Sequence, residues 1–410
     1  MSIYNVGLRD AVARLKSSFH AKVLSESVRS ILGRIHPSGY VPESLTGGVY
    51  NGMFPRTLCA LARLFLAIGK PELLEAPIDY CLRSTLGNGL LGFPHIIGPP
   101  AADGGCLPAF IDDLPQPDGI ANAILAWAML ALSRERNAFE NRTYEDVAGI
   151  LDRLASAHFF ANRAHWRCDP GLVLNTHFEH SRDWQFWCCY DFLTQSFVAS
   201  ALGYMADVAQ RRGDGRREER WRKILGALET NIAKAMVIER HGKKIYLEML
   251  LPTGRKPVPF DGLGWVNLAA IPADWRGVDQ EIFRNTIREW RRHAAIKFDG
   301  VVVTACDWTP EGHTGETYGK MLGWELVFLA REGCWDEVAG LLDFLEKVNG
   351  DGIYAEIFRY GDDQYGQPYN PGLAAPRWHV RDRGNGEQCA WLCWSMTEVR
   401  RLAGLSNREL

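Results

Sequence analysis

The chain has 410 residues, of which 47% are hydrophobic and 23% are charged, and its formal net charge is −3. These values are typical of a soluble globular protein with enough apolar material for a large core. The slight negative charge argues against a nucleic-acid partner, and no run reaches the roughly 18 apolar residues that a membrane-spanning helix needs.

The cysteines and the start of the sequence bear on the cellular compartment. The ten cysteines lack the spacing of metal ligands, and two of them, Cys188 and Cys189, are adjacent in an apolar run. They are typical of buried thiols in a reducing compartment. Because the first residues also lack the apolar core of a signal peptide, we expect a cytoplasmic protein. No motif in the sequence calls for a cofactor or a metal ion, so we expect neither.

Helical periodicity predicts about twelve segments along the chain. No Pro-, Ser- or Gly-rich linker divides them, so we expect residues 1–410 to form a single domain. The strand signals are short and local, at 244–249 and 300–303. The predicted helical segments, in chain order, are 8–32, 53–68, 71–85, 117–134, 144–158, 184–211, 215–236, 260–270, 278–292, 315–332, 335–347 and 386–404.

The segments alternate in character. The even-numbered ones are rich in Ala, Gly, Leu and Trp, as in 120–132, whereas odd-numbered ones carry the charge, as in 216–223. A helix that is apolar on nearly every side is buried among other elements, and an amphipathic helix has one face in water. The pattern therefore predicts an all-α protein in which six helical hairpins close into a double-layered (α/α)6 barrel, with long loops at one end.

The starts of the even-numbered helices combine charged or amide groups with Gly, Pro or aromatic residues. If these helices form the inner ring, their N-terminal ends share one end of the barrel. Carboxylates, an Arg and several Trp around a pit are typical of a carbohydrate site. The residues so placed are Arg56; Gln116 and Asp118; Glu179, Asp183, Trp184 and Trp187; Asp261 and Trp265; His313, Glu316 and Tyr318; and Glu387 and Gln388.

The last of these starts has the sequence RGNGEQCAWLCWSM, from Arg383 to Met396. A glycine-rich turn delivers Glu387 to the beginning of an almost wholly apolar helix. A carboxylate there is consistent with an N-terminal-turn residue favoured by the helix dipole. It is also consistent with a functional acid at the floor of the pit, because burying an unpaired carboxylate is costly.

Three short motifs resemble those of the six-hairpin glycosidase superfamily, which includes the glucoamylase, trehalase and processing α-glucosidase families. The PQPDG of Pro115–Gly119 is similar to a glucoamylase-like motif at an inner-helix start. The EHSRDW of Glu179–Trp184 is similar in spacing to an E-S-G-x-D segment of trehalases and processing glucosidases. Glu387-Gln388 resembles the pair that supplies the general base before the last helix.

The resemblance implies an exo-acting glycoside hydrolase that acts on a small oligosaccharide or glycoside. Asp183 would be the general acid and Glu387 the general base, with Glu179 as a hydroxyl-binding residue or the alternative acid. Inversion is expected if the two carboxyl groups stand about 6.5–9.5 Å apart. Thr57 follows Arg56 where these families often have Asp, which leaves the identity of the sugar open.

Two other classes of function remain open. The same barrel hosts sugar epimerases and polysaccharide lyases, which abstract a proton with His, Tyr or Arg; here His177, His180, His313 and Tyr318 would serve. A non-catalytic carbohydrate-binding barrel is the third possibility. A metal site is not predicted, because the His177–His180 pair has no third ligand in view.

Overall fold

The computed structural model describes residues 4–45, 52–90, 92–101, 116–156, 170–175, 188–252, 256–361 and 377–407. In this part of the chain there are thirteen α-helices and two 3-10 helices, Pro71–Leu74 and Trp265–Leu268. The α-helices are α1 (Tyr4–Leu15), α2 (Ser18–Leu32), α3 (Thr57–Ala67), α4 (Glu75–Gly87), α5 (Pro117–Leu132), α6 (Ala138–Leu154), α7 (Phe192–Arg212), α8 (Gly215–Ala235), α9 (Ala270–Ala273), α10 (Gln280–His293), α11 (Gly319–Arg331), α12 (Trp335–Asn349) and α13 (Gly386–Leu402).

The strands are short and lie in the connections between helices. Each pairs antiparallel with its neighbours, in the orders β1-β4-β5, β10-β11-β12, β2-β3, β6-β9 and β7-β8. Their ranges are β1 (Tyr190–Asp191), β2 (Val237–Arg240), β3 (Lys243–Tyr246), β4 (Met249–Leu251), β5 (Val258–Pro259), β6 (Leu263–Gly264), β7 (Ala295–Phe298), β8 (Val301–Thr304), β9 (Asp307–Trp308), β10 (Glu316–Tyr318), β11 (Ala355–Gly361) and β12 (Arg377–Arg383).

Six helices form a closed inner ring. α3 contacts α5, α5 contacts α7, α7 contacts α9, α9 contacts α11, α11 contacts α13, and α13 returns to α3. These are the apolar segments of the sequence, and in α5 and α11 every residue up to the last is buried. The burial follows from composition, because a helix without a polar face has no side to present to water.

The charged helices form the outer layer. α8 packs on α7 and buries only Trp221, Leu228 and Ile232. α10 buries only Phe283, Thr286, Ile287 and Trp290, the stripe expected for an amphipathic helix. The predicted all-α double ring is confirmed.

Several predicted segments differ in the structure. α6 begins six residues before the predicted residue 144, and residues 188–191, predicted to be helical, lie before α7 and include β1. Residues 8–32 form two helices instead of one, because Ser17 leaves the helical path and its hydroxyl accepts a hydrogen bond from the His20 amide at 3.3 Å. Residues 260–270 hold β6, a 3-10 helix and the start of the four-residue α9, which ends where Asp274 adopts a left-handed φ of 56°. None of the helices in the ranges given above is long and apolar enough to cross a membrane.

Candidate active site

The start of α13 places Glu387 at the mouth of the inner ring. The Asn385 side chain accepts a hydrogen bond from the Gln388 amide at 3.0 Å and caps the helix. Gly384 has a φ of 75°, a conformation that favours glycine. A Cβ on Gly386 would lie 3.3 Å from the carbonyl and carboxylate oxygens of Glu43, which is tighter than most Cβ contacts, so this close approach favours glycine.

Two cations contact the Glu387 carboxylate. Lys320 Nζ lies 3.1 Å from its Oε1, and Arg56 Nε lies 3.3 Å from its Oε2. Lys320 and Glu387 are both buried, so water screens these contacts little. The ammonium of Lys320 also sits 4.4 Å from the centre of the Trp265 ring, within the range of a cation–π contact. This arrangement favours the charged form of the carboxylate.

The pocket around Glu387 receives one residue from the start of each inner helix, counting the 3-10 helix that leads into α9. One amide and three aromatic side chains from further along the helices make up its remaining wall, and Trp324 packs edge-on against Trp391 with ring centroids 5.4 Å apart. The first-turn residues are Arg56, Asp118, Leu193, Trp265, Lys320 and Glu387, and the others are Asn122, Phe197, Trp324 and Trp391.

Glu43 lies directly beneath the start of α13. Its Oε1 accepts a hydrogen bond from the Glu387 amide at 2.5 Å, and its Oε2 accepts one from the Thr57 hydroxyl at 2.7 Å. Its backbone carbonyl accepts from the Gly386 amide at 2.6 Å. Burial, and then the negative charge of Glu387, raise the pKa of Glu43. Thr57, the departure from the family pattern, therefore helps to hold Glu43 below the candidate base.

A second buried network supports Asp118, which lines the same pocket from the start of α5. The Asn175 amide donates to Asp118 Oδ1 at 2.9 Å and to the Thr194 hydroxyl at 3.0 Å. Asp191 caps α7 by accepting from the Thr194 amide and hydroxyl at 2.6 and 2.7 Å. Burial, and then the charge of Asp118, raise the pKa of Asp191 to about 7. These contacts orient Asp118 toward one fixed position at the pocket.

Near Glu43 and Glu387 lies a third carboxylate, that of Glu356 on β11. Burial, and then the negative charge of Glu43, raise its pKa to about 8. Its Oε2 atom has no hydrogen-bond partner among the described residues. Two of the three acids at this end of α13, Glu43 and Glu356, are thus biased toward the neutral form, whereas Glu387 faces two cations.

The structure brings together four of the predicted residues, Arg56, Asp118, Trp265 and Glu387, as pocket-lining side chains. Gln388 lies just behind them, and its Oε1 accepts a hydrogen bond from the Lys320 amide at 3.0 Å. This bond joins the starts of α11 and α13.

Other predicted residues lie around the described pocket rather than among the residues that line it. The Asp261 side chain is 69% exposed and pairs with Arg240. Glu316 is buried in an ion pair with Arg359 at 2.5 Å.

The remaining predicted positions cap helices or lie in turns. Gln116 occupies the N-cap position of α5, and Tyr318 that of α11. His313 Nδ1 lies 2.8 Å from the Thr314 carbonyl oxygen, and burial lowers the pKa of this histidine.

Four predicted positions, Glu179, Asp183, Trp184 and Trp187, fall within residues 176–187, outside the described residues, as do His177 and His180.

Sequence reasoning missed three charged residues of the site. Lys320 follows Tyr318 at the start of an inner helix, so the rule that selected its neighbours could have found it. Glu43 and Glu356 carry no such signal, because Glu43 precedes no helix and Glu356 lies inside a strand.

Comparisons with known proteins identify the fold. No protein-family model and no curated protein sequence matches the chain. Solved structures do match. A bacterial glucoamylase in complex with acarbose has a TM-score of 0.65 and 12% identity; the match covers 96% of this chain and 57% of the glucoamylase chain.

Two smaller structures match over nearly their whole length. A wild-type glycosidase has a TM-score of 0.62 and 13% identity over 96% of this chain and 98% of its own. A metal-independent α-mannosidase from Streptococcus pneumoniae, in a non-productive complex with α-1,6-mannobiose, has a TM-score of 0.62 and 12% identity, with 97% of each chain covered. The chain therefore has the (α/α)6 fold of the six-hairpin glycosidases.

Proposed function

We propose that this protein is an inverting, exo-acting glycoside hydrolase whose substrate is a small oligosaccharide or glycoside. One observation carries the proposal. A carboxylate, Glu387, is held by two cations at the start of an inner helix, in a pocket walled by Trp265, Trp324 and Trp391. Aromatic faces can stack on the C–H surfaces of a sugar, and the ionised carboxylate can accept a proton from water.

Hydrolysis with inversion requires two carboxyl groups on opposite sides of the glycosidic bond. In the proposed mechanism Glu387 takes a proton from a water molecule as the water oxygen attacks the anomeric carbon. The general acid, Asp183 or Glu179, donates its proton to the leaving oxygen as the carbon–oxygen bond breaks. Exchange with solvent then restores the ionised base and the protonated acid.

The described pocket favours this mechanism over proton abstraction by an epimerase or lyase. The part of the lining that the structure describes contains carboxylates, a Lys and an Arg but no His or Tyr. Of the four residues named for that alternative, His313 and Tyr318 are not among those lining residues, and His177 and His180 lie outside the described residues. Asp118 and Asn122 offer an acceptor and an amide for sugar hydroxyls, and Trp265 offers a stacking face. We assign them, with Arg56, to substrate binding.

The test is turnover of aryl glycosides and small disaccharides, with the anomer of the first product resolved by NMR. A product of inverted configuration supports the proposal. Glu387→Gln should lower kcat by about 10²–10⁴-fold, the usual contribution of general acid–base assistance. Glu398→Gln is the matched control, because Glu398 lies on the same helix and pairs with Arg401 at 2.7 Å.

Other outcomes identify the alternatives. An unsaturated product would indicate a lyase, and a change confined to a free sugar would indicate an epimerase. Sugar binding that is unaffected by Glu387→Gln, with no turnover in either protein, would indicate a non-catalytic barrel.

The proposal extends to organisation and compartment. We propose a single domain spanning residues 1–410, supported by one continuous cluster of buried hydrophobic residues from Ala11 to Val399. We also propose a cytoplasmic location. The eight cysteines within the described residues are free thiols and six of them are buried, which suits a reducing compartment.

A further inference from the structure

Two histidines and a glutamate meet at residues that are not among those lining the pocket of Glu387. Glu289 and His293 are four residues apart in the last turns of α10, so they share a face. His241 lies in the turn between β2 and β3. The Oε1 atom of Glu289 is 3.1 Å from His293 Nε2 and 3.8 Å from His241 Nε2. One donor atom from each residue lies within 4.8 Å of the other two.

Local structure holds this cluster in place. The hairpin docks on α10 through a hydrogen bond of 2.8 Å from the Tyr246 amide to the Thr286 hydroxyl. His241 and Gly242 have φ values of 51° and 73°, the left-handed conformations of a tight hairpin turn. The His293 ring stacks on Trp308 with centroids 4.3 Å apart and planes 21° apart. The fold thus positions the side chain of His293 and the backbone of His241.

The donor set and its spacing suit a transition-metal ion. Imidazole is a preferred ligand of zinc, copper and nickel, and zinc also takes a carboxylate oxygen. Metal–ligand bonds of about 2.1 Å place tetrahedral ligand atoms about 3.4 Å apart. The distances of 3.1 and 3.8 Å from Glu289 Oε1 to the two imidazole nitrogens lie close to that value. The His241 side chain is 69% exposed, so it has room to close the remaining gap.

The electrostatics also favour a cation. The cluster lies at the C-terminal end of α10, where the helix dipole stabilises positive charge. The Arg292 guanidinium already occupies this place, 2.7 Å from Glu289 Oε1 and 3.1 Å from His293 Nε2. Its side chain is 58% exposed, so it can turn into solvent when another cation binds.

We propose that His241, Glu289 and His293 form a binding site for one divalent transition-metal ion of the zinc class, with water completing its coordination. The ion would join the β2–β3 hairpin to α10. It would sit beside Trp308, whose strand β9 pairs with β6 immediately before Trp265. The site is therefore a structural brace at the flank of the pocket, and it takes no part in the proposed hydrolysis.

The test is titration of the chelator-treated full-length protein with Zn²⁺ by calorimetry and with Co²⁺ by absorption. One ion should bind per chain. His241→Ala, Glu289→Gln and His293→Ala should each weaken binding at least about 10-fold, the lower bound for losing even an outer partner of a metal ligand. Arg292→Ala should bind zinc more tightly than the wild type, because it removes the competing cation. His36→Ala, which removes an exposed histidine elsewhere, is the matched control.

Some results would overturn the proposal. One is the absence of Zn²⁺ binding by the wild type at millimolar zinc. Another is an affinity for Zn²⁺ in the three ligand variants that equals the affinity of the wild type. A loss in His36→Ala as large as in the ligand variants would mean non-specific surface binding. Circular dichroism of each apo variant checks that it is folded, and the gain expected in Arg292→Ala does not depend on any variant that removes a ligand.

Discussion

The amide of Glu387 donates a hydrogen bond of 2.5 Å to the carboxylate of Glu43, a residue 344 positions earlier in the chain. The same carboxylate accepts from Thr57, the first residue of α3. Glu43 thus ties together the starts of two adjacent inner helices, α3 and α13. Glu387, the candidate base, lies in the first turn of α13. Its position therefore depends on Glu43, an acid that lies below the pocket.

Replacing Glu43 by Ala should lower both stability and turnover. The Glu387 amide and the Thr57 hydroxyl would lose their shared acceptor, which costs about 1–3 kcal/mol for a buried group left unpaired. We expect kcat to fall with little change in KM, because the base would move while the sugar-binding wall stays. Denaturant unfolding and steady-state kinetics measure the two effects.

Glu43→Gln is the control for that prediction. Its amide oxygen can still accept from the Glu387 amide, so stability and kcat should stay close to wild type. If Glu43→Ala is as stable and as active as Glu43→Gln, Glu43 does not position the base.

Removing the cation at Lys320 should change the pH dependence of activity. Lys320→Met keeps the length of the side chain but leaves Arg56 as the cationic partner of Glu387 among the described residues. A carboxylate that loses a neighbouring positive charge is protonated more easily. The acid limb of the kcat/KM profile should therefore move to higher pH, as measured across pH 4 to 8.

Lys347→Met removes an exposed lysine that pairs with Asp343 at 3.0 Å on α12, and it should leave the profile unchanged. Lys320→Arg should restore much of the wild-type profile. An unshifted acid limb in Lys320→Met would mean that this limb does not report the ionisation of Glu387.

The identity of the general acid can be decided by leaving-group dependence. Without the acid, aryl glycosides with good leaving groups should recover part of the lost activity, because they need little protonation. We expect Asp183→Asn to lower kcat by about 10²–10⁴-fold for substrates with poor leaving groups. Substrates with good leaving groups should recover part of that loss. If Glu179→Gln shows the recovery and Asp183→Asn stays active, Glu179 is the acid.

Glu356 should make the protein less stable as pH rises. Its pKa of about 8 in the fold lies above the ordinary value of 4.5, so the native state holds a proton that the unfolded chain releases. Stability from this group is fully present below pH 4.5 and is lost as pH rises through 8. The slope is at most about 1.4 kcal/mol per pH unit.

Glu356→Gln removes this titration. Urea unfolding of both proteins at pH 5 and pH 9 should show the variant gaining stability relative to wild type at the higher pH. A stability difference that is the same at both pH values would contradict the raised pKa of Glu356.

Much of the architecture could be predicted because it depends on local pattern. The apolar segment Pro117–Leu132 has no polar face, and the charged segment Gly215–Ala235 has one narrow apolar stripe. Burial of apolar surface sorts two such helices into inner and outer layers whatever their partners are. Helix boundaries were less predictable. At Ser17, a single side-chain cap decides where α1 ends and α2 begins.

The sequence by itself determined the class of fold, the layer to which each helix belongs, and the end of the barrel where Arg56, Asp118, Trp265 and Glu387 meet. Helical periodicity and helix polarity are local properties, and they suffice for that. Only the tertiary structure decided which charges touch. Glu43 and Lys320 contact Glu387 from a loop and a helix, and Glu356 interacts electrostatically with Glu43 and Glu387 from a strand; these elements are far apart in the chain. Their effect depends on distance and burial, which the order of residues does not specify.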